Sequence, residues 1–247
     1  MTDQNSDFYI PASALVIVAH ADDIEFYAGT IIRWTDAGTE VTYCIVTDGA
    51  AGSNSVDYNR ETLIETRRLE QIAAADAAGV SDVRFLNYPD GTLEPTIELR
   101  KDLTRIIREL RPDVVVIPDP NTYYFDDNTY VNHPDHRAVG EAGLYAAFPS
   151  AGARPIFPDL LTEGYEPHDV TKVYLMIADH PNVFIDVTSV YERKLQTLRS
   201  FPSQFGEDLI DMVRQGDVLE GQERGWQYGE SFRVLTLRQI EPTTPSE

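Results

Sequence analysis

The chain has 247 residues, 42% of them hydrophobic and 25% charged, enough apolar material for one large domain or two small ones. Acidic residues outnumber basic ones 41 to 20, a formal net charge of -21, so phosphate backbones and anionic membrane surfaces repel it. The expected partner is therefore neither a nucleic acid nor a membrane, and the plain reading of the charge is a solvated acidic surface.

Apolar β-rich runs alternate with longer amphipathic segments. Residues 14–19 (ALVIVA) read as a fully buried strand. A helix over 25–37 follows, closed by Gly38, and then a second buried strand over 41–47. That strand carries the one cysteine, Cys44, which has no internal partner and reads as a core thiol. A helix over 60–78 stops at Gly79, a short strand over 83–86 leads into the turn Tyr88-Pro89-Asp90-Gly91, and 97–110 is helical. Residues 114–117 form another buried strand, 118–134 a long polar, aromatic-rich loop, and 135–147 a helix. Residues 149–170 are proline-rich and lack periodicity. Strands over 173–177, 183–187 and 232–237 are expected after them, with helices over 189–200 and 208–214. The alternation argues for an α/β fold: a Rossmann-like, mostly parallel sheet with helices on both faces. No repeat or linker divides the chain, so a single domain over 1–247 is expected, with tails at 1–10 and 241–247. No apolar stretch is long enough for a membrane span, and the N-terminus lacks a basic region followed by an apolar one. A cytoplasmic, reducing location fits.

Two short segments hold three of the five histidines: His20-Ala21-Asp22-Asp23-Ile24-Glu25 and Asn132-His133-Pro134-Asp135-His136. Each follows a predicted strand, and ligand sites of open α/β sheets form outside the carboxyl ends of strands. Catalytic zinc takes three ligands from histidine and carboxylate and keeps a position for water. His20, Asp23 and His136 offer such a set, and Asp22 stands beside it as a proton acceptor. His133 is placed to stabilise an oxyanion, and Asp135 to orient a histidine. Each motif alone has a plainer reading. An Asp-Asp pair after a strand is often a helix N-cap, and His-Pro-Asp-His fits a loop turn.

The paired motifs resemble those of the PIG-L (LmbE-like) family of zinc-dependent de-N-acetylases, which have the forms A-H-P-D-D-x-E and H-P-D-H. The similarity extends over roughly residues 15–232. It includes Thr47-Asp48-Gly49-Ala50-Ala51-Gly52, Thr66-Arg67-Arg68-Leu69-Glu70, Tyr88-Pro89-Asp90-Gly91, Arg111-Pro112-Asp113, Glu163-Gly164-Tyr165-Glu166-Pro167-His168 and Glu192-Arg193-Lys194. The resemblance implies a Rossmann-like fold, one zinc ion on His20, Asp23 and His136, Asp22 as general base, His133 in transition-state stabilisation and Arg68 near the substrate. It sets the expected substrate as a small N-acylated sugar of the N-acetylglucosamine type, and the expected assembly as a homo-oligomer, a trimer or hexamer. Other divalent metals accept similar ligands. Two positions depart from the pattern. Ala21 replaces the usual proline, and Phe201, in Phe201-Pro202-Ser203-Gln204, replaces a histidine of H-x-S-Q.

Among the remaining candidates, Tyr130 adjoins the second motif and is expected, with Arg68 and Asp135, to contact substrate. Tyr123, Tyr124 and Phe125 either wall a sugar pocket or fold their loop onto itself. Asp48 lines the cleft or caps the next segment. His168 and His180 read as surface or loop histidines, and Asp126 and Asp127 as solvated. Three functions compete: deacetylation of an amino sugar or another acyl-amide conjugate, metallophosphoester hydrolysis, and non-catalytic metal or sugar binding. Paired-metal phosphoesterases need more ligands than these segments supply, and a spare Asp22 beside a complete ligand set argues against a binding module.

Overall fold

The computed structural model describes residues 8–56 and 58–238. A strand apolar along its whole length has to be covered on both faces, and β1 (Ser13–Val18) is buried at every position but the first. It pairs in parallel with β2 (Glu40–Thr47) on one side and β4 (Val114–Pro118) on the other. β3 (Asp82–Tyr88) extends the sheet beyond β2, and β5 (Lys172–Met176) extends it beyond β4, again in parallel. β7 (Gly229–Thr236) and β6 (Val183–Asp186) add an antiparallel edge, giving the order β3-β2-β1-β4-β5-β7-β6. The expected single-domain α/β architecture with a mostly parallel sheet is the one observed. Of the expected tails, residues 1–7 and 241–247 lie outside the described residues.

Successive β1 side chains point to opposite faces. Val16 and Val18 join a core with Ile31, Trp34, Leu195 and Phe232, while Leu15 and Ile17 join another with Leu103, Ile107 and Val139. The first face is covered by α1 (Ala28–Asp36), α2 (Arg60–Ala78) and α6 (Tyr191–Arg199), the second by α3 (Ile97–Leu110) and α4 (Pro134–Tyr145). α3 shows the logic. Thr96 caps it by accepting from Leu99 N, and Leu99, Leu103, Ile106 and Ile107 fall on one stripe and are buried. Each such side chain contributes about 1.5–3 kcal/mol by leaving water. α2 has the boundaries read from sequence because both ends are fixed locally, by an Asn59 capping box and by Gly79 at φ 79°.

Three expectations are corrected. The helix over 25–37 is split into a 3-10 turn, Asp23–Tyr27, and α1, because Asp22 turns the chain through φ 105° and Asp23 folds back onto His20. The region 149–170 contains a short helix, α5 (Pro158–Thr162). The helix expected over 208–214 is α7 (Glu207–Gln222), which runs through Gly216. α7 is tied in by a buried charge cluster. Lys194 Nζ lies 2.7 Å from Asp217 Oδ2 and 2.8 Å from Glu230 Oε1, and Glu230 accepts the Gly29 and Thr30 N–H groups of α1. Burial pushes Asp217 up to about 6 against the pull of Lys194.

From β1 the chain builds outward through β2 to β3, then returns to β4 on the other side of β1. The carboxyl ends of β1 and β4 thus frame a topological switch point, the place where open α/β sheets bind ligands. Both histidine motifs emerge there. Gly140 lets α4 lie directly against the end of β4, since a Cβ at that position would stand 2.4 Å from Pro118 O. No described helix is long and apolar enough to cross a membrane.

Candidate active site

The first motif leaves β1 and turns on itself at once. The His20 N–H donates to Asp23 Oδ2 (2.8 Å), so the carboxylate is locked beside the imidazole that precedes it. The second motif begins α4. His133 is its N-cap, with Nδ1 accepting from Asp135 N (3.2 Å), and Pro134 opens the helix. His136, on the first turn, places Nε2 3.1 Å from Asp23 Oδ1. Its Nδ1 faces Asn132 Oδ1 at 2.9 Å, and Asn132 is oriented in turn by donating to Thr122 O (2.8 Å). That chain sets the tautomer of His136, leaving Nε2 free to face Asp23. The rings of His20, His133 and His136 lie 4.7–5.4 Å apart, centroid to centroid. His20, Asp23 and His136 each offer a ligand atom within 4.8 Å of the others, as do His20, His133 and Asp135.

The surroundings are strongly anionic. His20 Nε2 is 3.1 Å from Asp90 Oδ1 and 3.4 Å from Asp135 Oδ2, yet it is buried and makes no hydrogen bond of acceptable geometry. Burial works against a charge on His20, but Asp23, Asp135 and Asp90 outweigh it and push the imidazole up to about 12. Burial likewise opposes ionisation of Asp23, while His136 and His20 hold its carboxyl well below the ordinary range. Asp22 is different: burial raises it to about 7, with Asp23 adding to the rise and Arg67 restraining it. His133 is held below the usual imidazole value by burial and by neighbouring His20.

Asp22 sits on a buried scaffold supplied by α2. Arg67 Nη2 is 3.0 Å from Asp22 Oδ2 and 2.6 Å from Ala21 O, and Nη1 donates to Gly49 O (3.1 Å). Arg67 is only 3% exposed. Arg68, named from sequence as the substrate-side arginine, points elsewhere, donating to Asn87 Oδ1 (2.8 Å) over the ring of Phe85. Neighbouring helical residues are turned by about 100°, so only one of the two can face the cluster. Of the two roles expected for Asp135, orienting a histidine and contacting substrate, its surroundings suit the first. It is fully buried, accepts the Gly91 (2.7 Å) and Leu93 (3.1 Å) N–H groups, and meets His20, so its position is that of a histidine orienter. Asp90, noted in the sequence only as part of a turn, reaches the same imidazole while accepting from Ala51 N (2.8 Å).

Tyr130 is half-buried beside the cluster and donates to Asn132 Oδ1 (3.1 Å); burial and Asp23 raise its phenol. The aromatic loop folds onto itself, through a Tyr124–Val131 bridge and the Phe125–Tyr130 ring pair, and still leaves Tyr123 and Tyr124 exposed. Asp48 caps, accepting from Ala50 N and Asp90 N and pairing with Arg60. Asp126 is exposed, and Asp127 accepts from Thr129 within its own turn. His168 bonds Pro112 O, and His180 is exposed. Phe201 is fully buried against Phe205, so its departure from histidine belongs to packing. The next residues reach Glu70 of α2, which accepts from the Ser203 N–H (2.9 Å) and hydroxyl (2.5 Å). Ala21, in place of proline, is buried and keeps its carbonyl on Arg67.

Known proteins share this arrangement of chain. The diacetylchitobiose deacetylase of Thermococcus kodakarensis is 33% identical, over 94% of this chain and 86% of its own length. The probable N-acetyl-alpha-D-glucosaminyl L-malate deacetylase 2 of Bacillus anthracis is 29% identical, over 91% of this chain and 95% of its own. Among solved structures, N,N'-diacetylchitobiose deacetylase from Pyrococcus horikoshii superposes with a TM-score of 0.85 at 32% identity, covering 95% of this chain and 88% of that one. The model of the PIG-L family, GlcNAc-PI de-N-acetylase, matches residues 15–147, a segment that begins in β1 and ends just beyond α4 and so takes in both histidine motifs. The chain belongs to the PIG-L de-N-acetylase family.

Proposed function

We propose that the protein is a metal-dependent hydrolase that removes the N-acetyl group from a small N-acetylglucosamine-containing substrate, with zinc on His20, Asp23 and His136. The observation that carries the reading is the meeting of those three side chains with Asp22 beside them on a buried arginine. The donor set fits a cation. His20 Nδ1 lies 3.5 Å from Asp23 Oδ2 and His136 Nε2 3.1 Å from Asp23 Oδ1, so the three would-be ligands converge, while Asp90 and Asp135 stand on the far side of the His20 ring, at Nε2, to take its remaining proton. A divalent ion so held supplies Lewis acidity, which polarises the amide carbonyl and makes water a nucleophile near neutral pH.

The protein side chains divide the remaining work. Asp22 takes a proton from the attacking water and returns it to the departing amine. Arg67 keeps that carboxylate oriented. With its Nδ1 engaged by Asp135 N–H, a neutral His133 carries its proton on Nε2 and can donate to the oxygen that gains charge as the carbon becomes tetrahedral. Tyr130, held next to the cluster by its bond to Asn132, is a substrate contact in the same reading. The net charge of -21 favours a neutral or cationic small molecule over nucleic acid. A homo-oligomer, trimer or hexamer, and a cytoplasmic setting belong to the same reading.

The test is acetate release from N,N'-diacetylchitobiose and from N-acetylglucosamine conjugates, by chelated protein and after zinc is restored. Zinc-dependent release is expected. A zinc-replete protein that leaves every N-acetylated sugar intact while cleaving a phosphate ester would overturn the assignment.

A further inference from the structure

Asp22 is a non-glycine residue at φ 105° and ψ -17°, a backbone state that L side chains resist. Something must hold it there, and the 3-10 turn offers no side-chain cap of its own. The Asp22 N–H instead donates to Gln71 Oε1 (3.2 Å), across 49 residues of chain. Gln71 Nε2 donates onward to Glu25 Oε1 (3.0 Å). Gln71 is 0% and Glu25 1% exposed, so neither reaches a substrate.

The order of these bonds has a direction. A backbone N–H only donates, so the Gln71 atom facing Asp22 has to be the oxygen. The amide nitrogen then points at Glu25, which meets it with an acceptor. If the amide turned over, two donors would face each other at Asp22. The Asp22 N–H therefore sets the sense of the amide, and Glu25 Oε1, by accepting from the amide nitrogen, holds the amide where its oxygen meets the main chain of Asp22. Arg67, one turn earlier on α2, holds the other end of the same residue through its carboxylate.

We propose that Gln71 and Glu25 form a positioning pair that keeps the Asp22 backbone in its left-handed turn and thereby aims the Asp22 carboxylate. Its kinetic part rests on the assignment of Asp22 as proton acceptor; its structural part does not. A small misplacement of a reacting group is costly, on the order of a hundredfold for 1 Å.

The experiment compares Gln71→Met, Glu25→Met and Glu25→Gln with wild type in metal content, steady-state kinetics and crystal structures. Gln71→Met removes both ends of the relay. It is expected to keep its metal and KM, to lose roughly tenfold or more in kcat, and to show Asp22 back at negative φ. Glu25→Met is expected to do the same, and it carries the test if Gln71→Met fails to fold. Glu25→Gln retains an acceptor oxygen and is expected to restore both the turn and the rate. A Gln71→Met structure with Asp22 still near φ 105° overturns the proposal. So does a Glu25→Gln protein as impaired as Glu25→Met. If wild type releases no acetate from any sugar, the role of Asp22 falls, and the structures alone decide whether the pair holds the turn.

Discussion

Arg67 Nη2 stands 3.0 Å from Asp22 Oδ2, with the arginine almost entirely out of water and the aspartate largely so. Breaking a buried pair by removing one partner strands the other charge, at a cost of about 3–5 kcal/mol. Arg67→Met is therefore expected to lower the melting temperature and to reduce kcat while metal stays bound. Arg68→Met, which removes only a contact with Asn87 and Phe85, is expected to leave kcat unchanged. Kinetics on the two metal-quantified variants decide which arginine serves the site, and a larger loss from Arg68→Met would reverse the assignment.

The ligands and the base should separate by metal content. His20→Ala, Asp23→Asn and His136→Ala are each expected to lose most bound zinc, measured by elemental analysis after dialysis. Asp22→Asn keeps the shape of the side chain and is expected to retain zinc while turnover falls on the order of a hundredfold or more. If Asp22→Asn loses metal as completely as Asp23→Asn, the two roles are exchanged.

His133→Ala isolates the donor. A group used mainly in the transition state affects turnover more than substrate binding. Zinc content and KM are expected to stay near wild type, while kcat falls by roughly a hundredfold, about 2.7 kcal/mol. Wild-type turnover in this variant would leave His133 as no more than the N-cap of α4.

The Lys194–Asp217–Glu230 cluster gives stability a pH signature. Asp217 has its pKa raised from 3.8 to about 6 in the folded chain, so the native state holds that proton more tightly than the unfolded one. Its contribution is fully present below about pH 4 and is lost as pH rises through about 6. Asp217→Asn mimics the protonated form. Between pH 4.5 and 7, wild type is expected to lose stability relative to the variant, as read by urea unfolding at about those two pH values. Parallel pH dependence in the two proteins would show that Asp217 stays ionised throughout.

Much of the site was legible because its chemistry is local. His20, Asp22 and Asp23 fall within four residues, and His133 and His136 are fixed by one cap and one turn of helix. Helix α2 was legible for the same reason, since Asn59 and Gly79 mark its ends without help from the rest of the fold. What escaped depended on rotation or on distance along the chain. Choosing between Arg67 and Arg68 requires the azimuth of α2 against β1, and Asp90 reaches His20 only because β3 sits two strands away from β1. The full extent of α7 was hidden because only Ile210, Asp217 and Gly221 of its sixteen residues are buried, too sparse a stripe to read as a period.

The bare face at Gly140 has a consequence for how the two motifs are spaced. Helix α4 rests on a main-chain carbonyl of β4, with no side chain between them to be trimmed or enlarged. The standoff between the His133–His136 motif and the His20–Asp23 motif is thus gauged by backbone against backbone, as a machined stop sets a jaw. A larger side chain elsewhere in the interior can be shared among its neighbours, but a single methyl group at residue 140 has nowhere to go except into moving the whole helix. Gly140→Ala, four residues from the nearest proposed ligand, should for that reason weaken zinc binding by spreading the jaw itself.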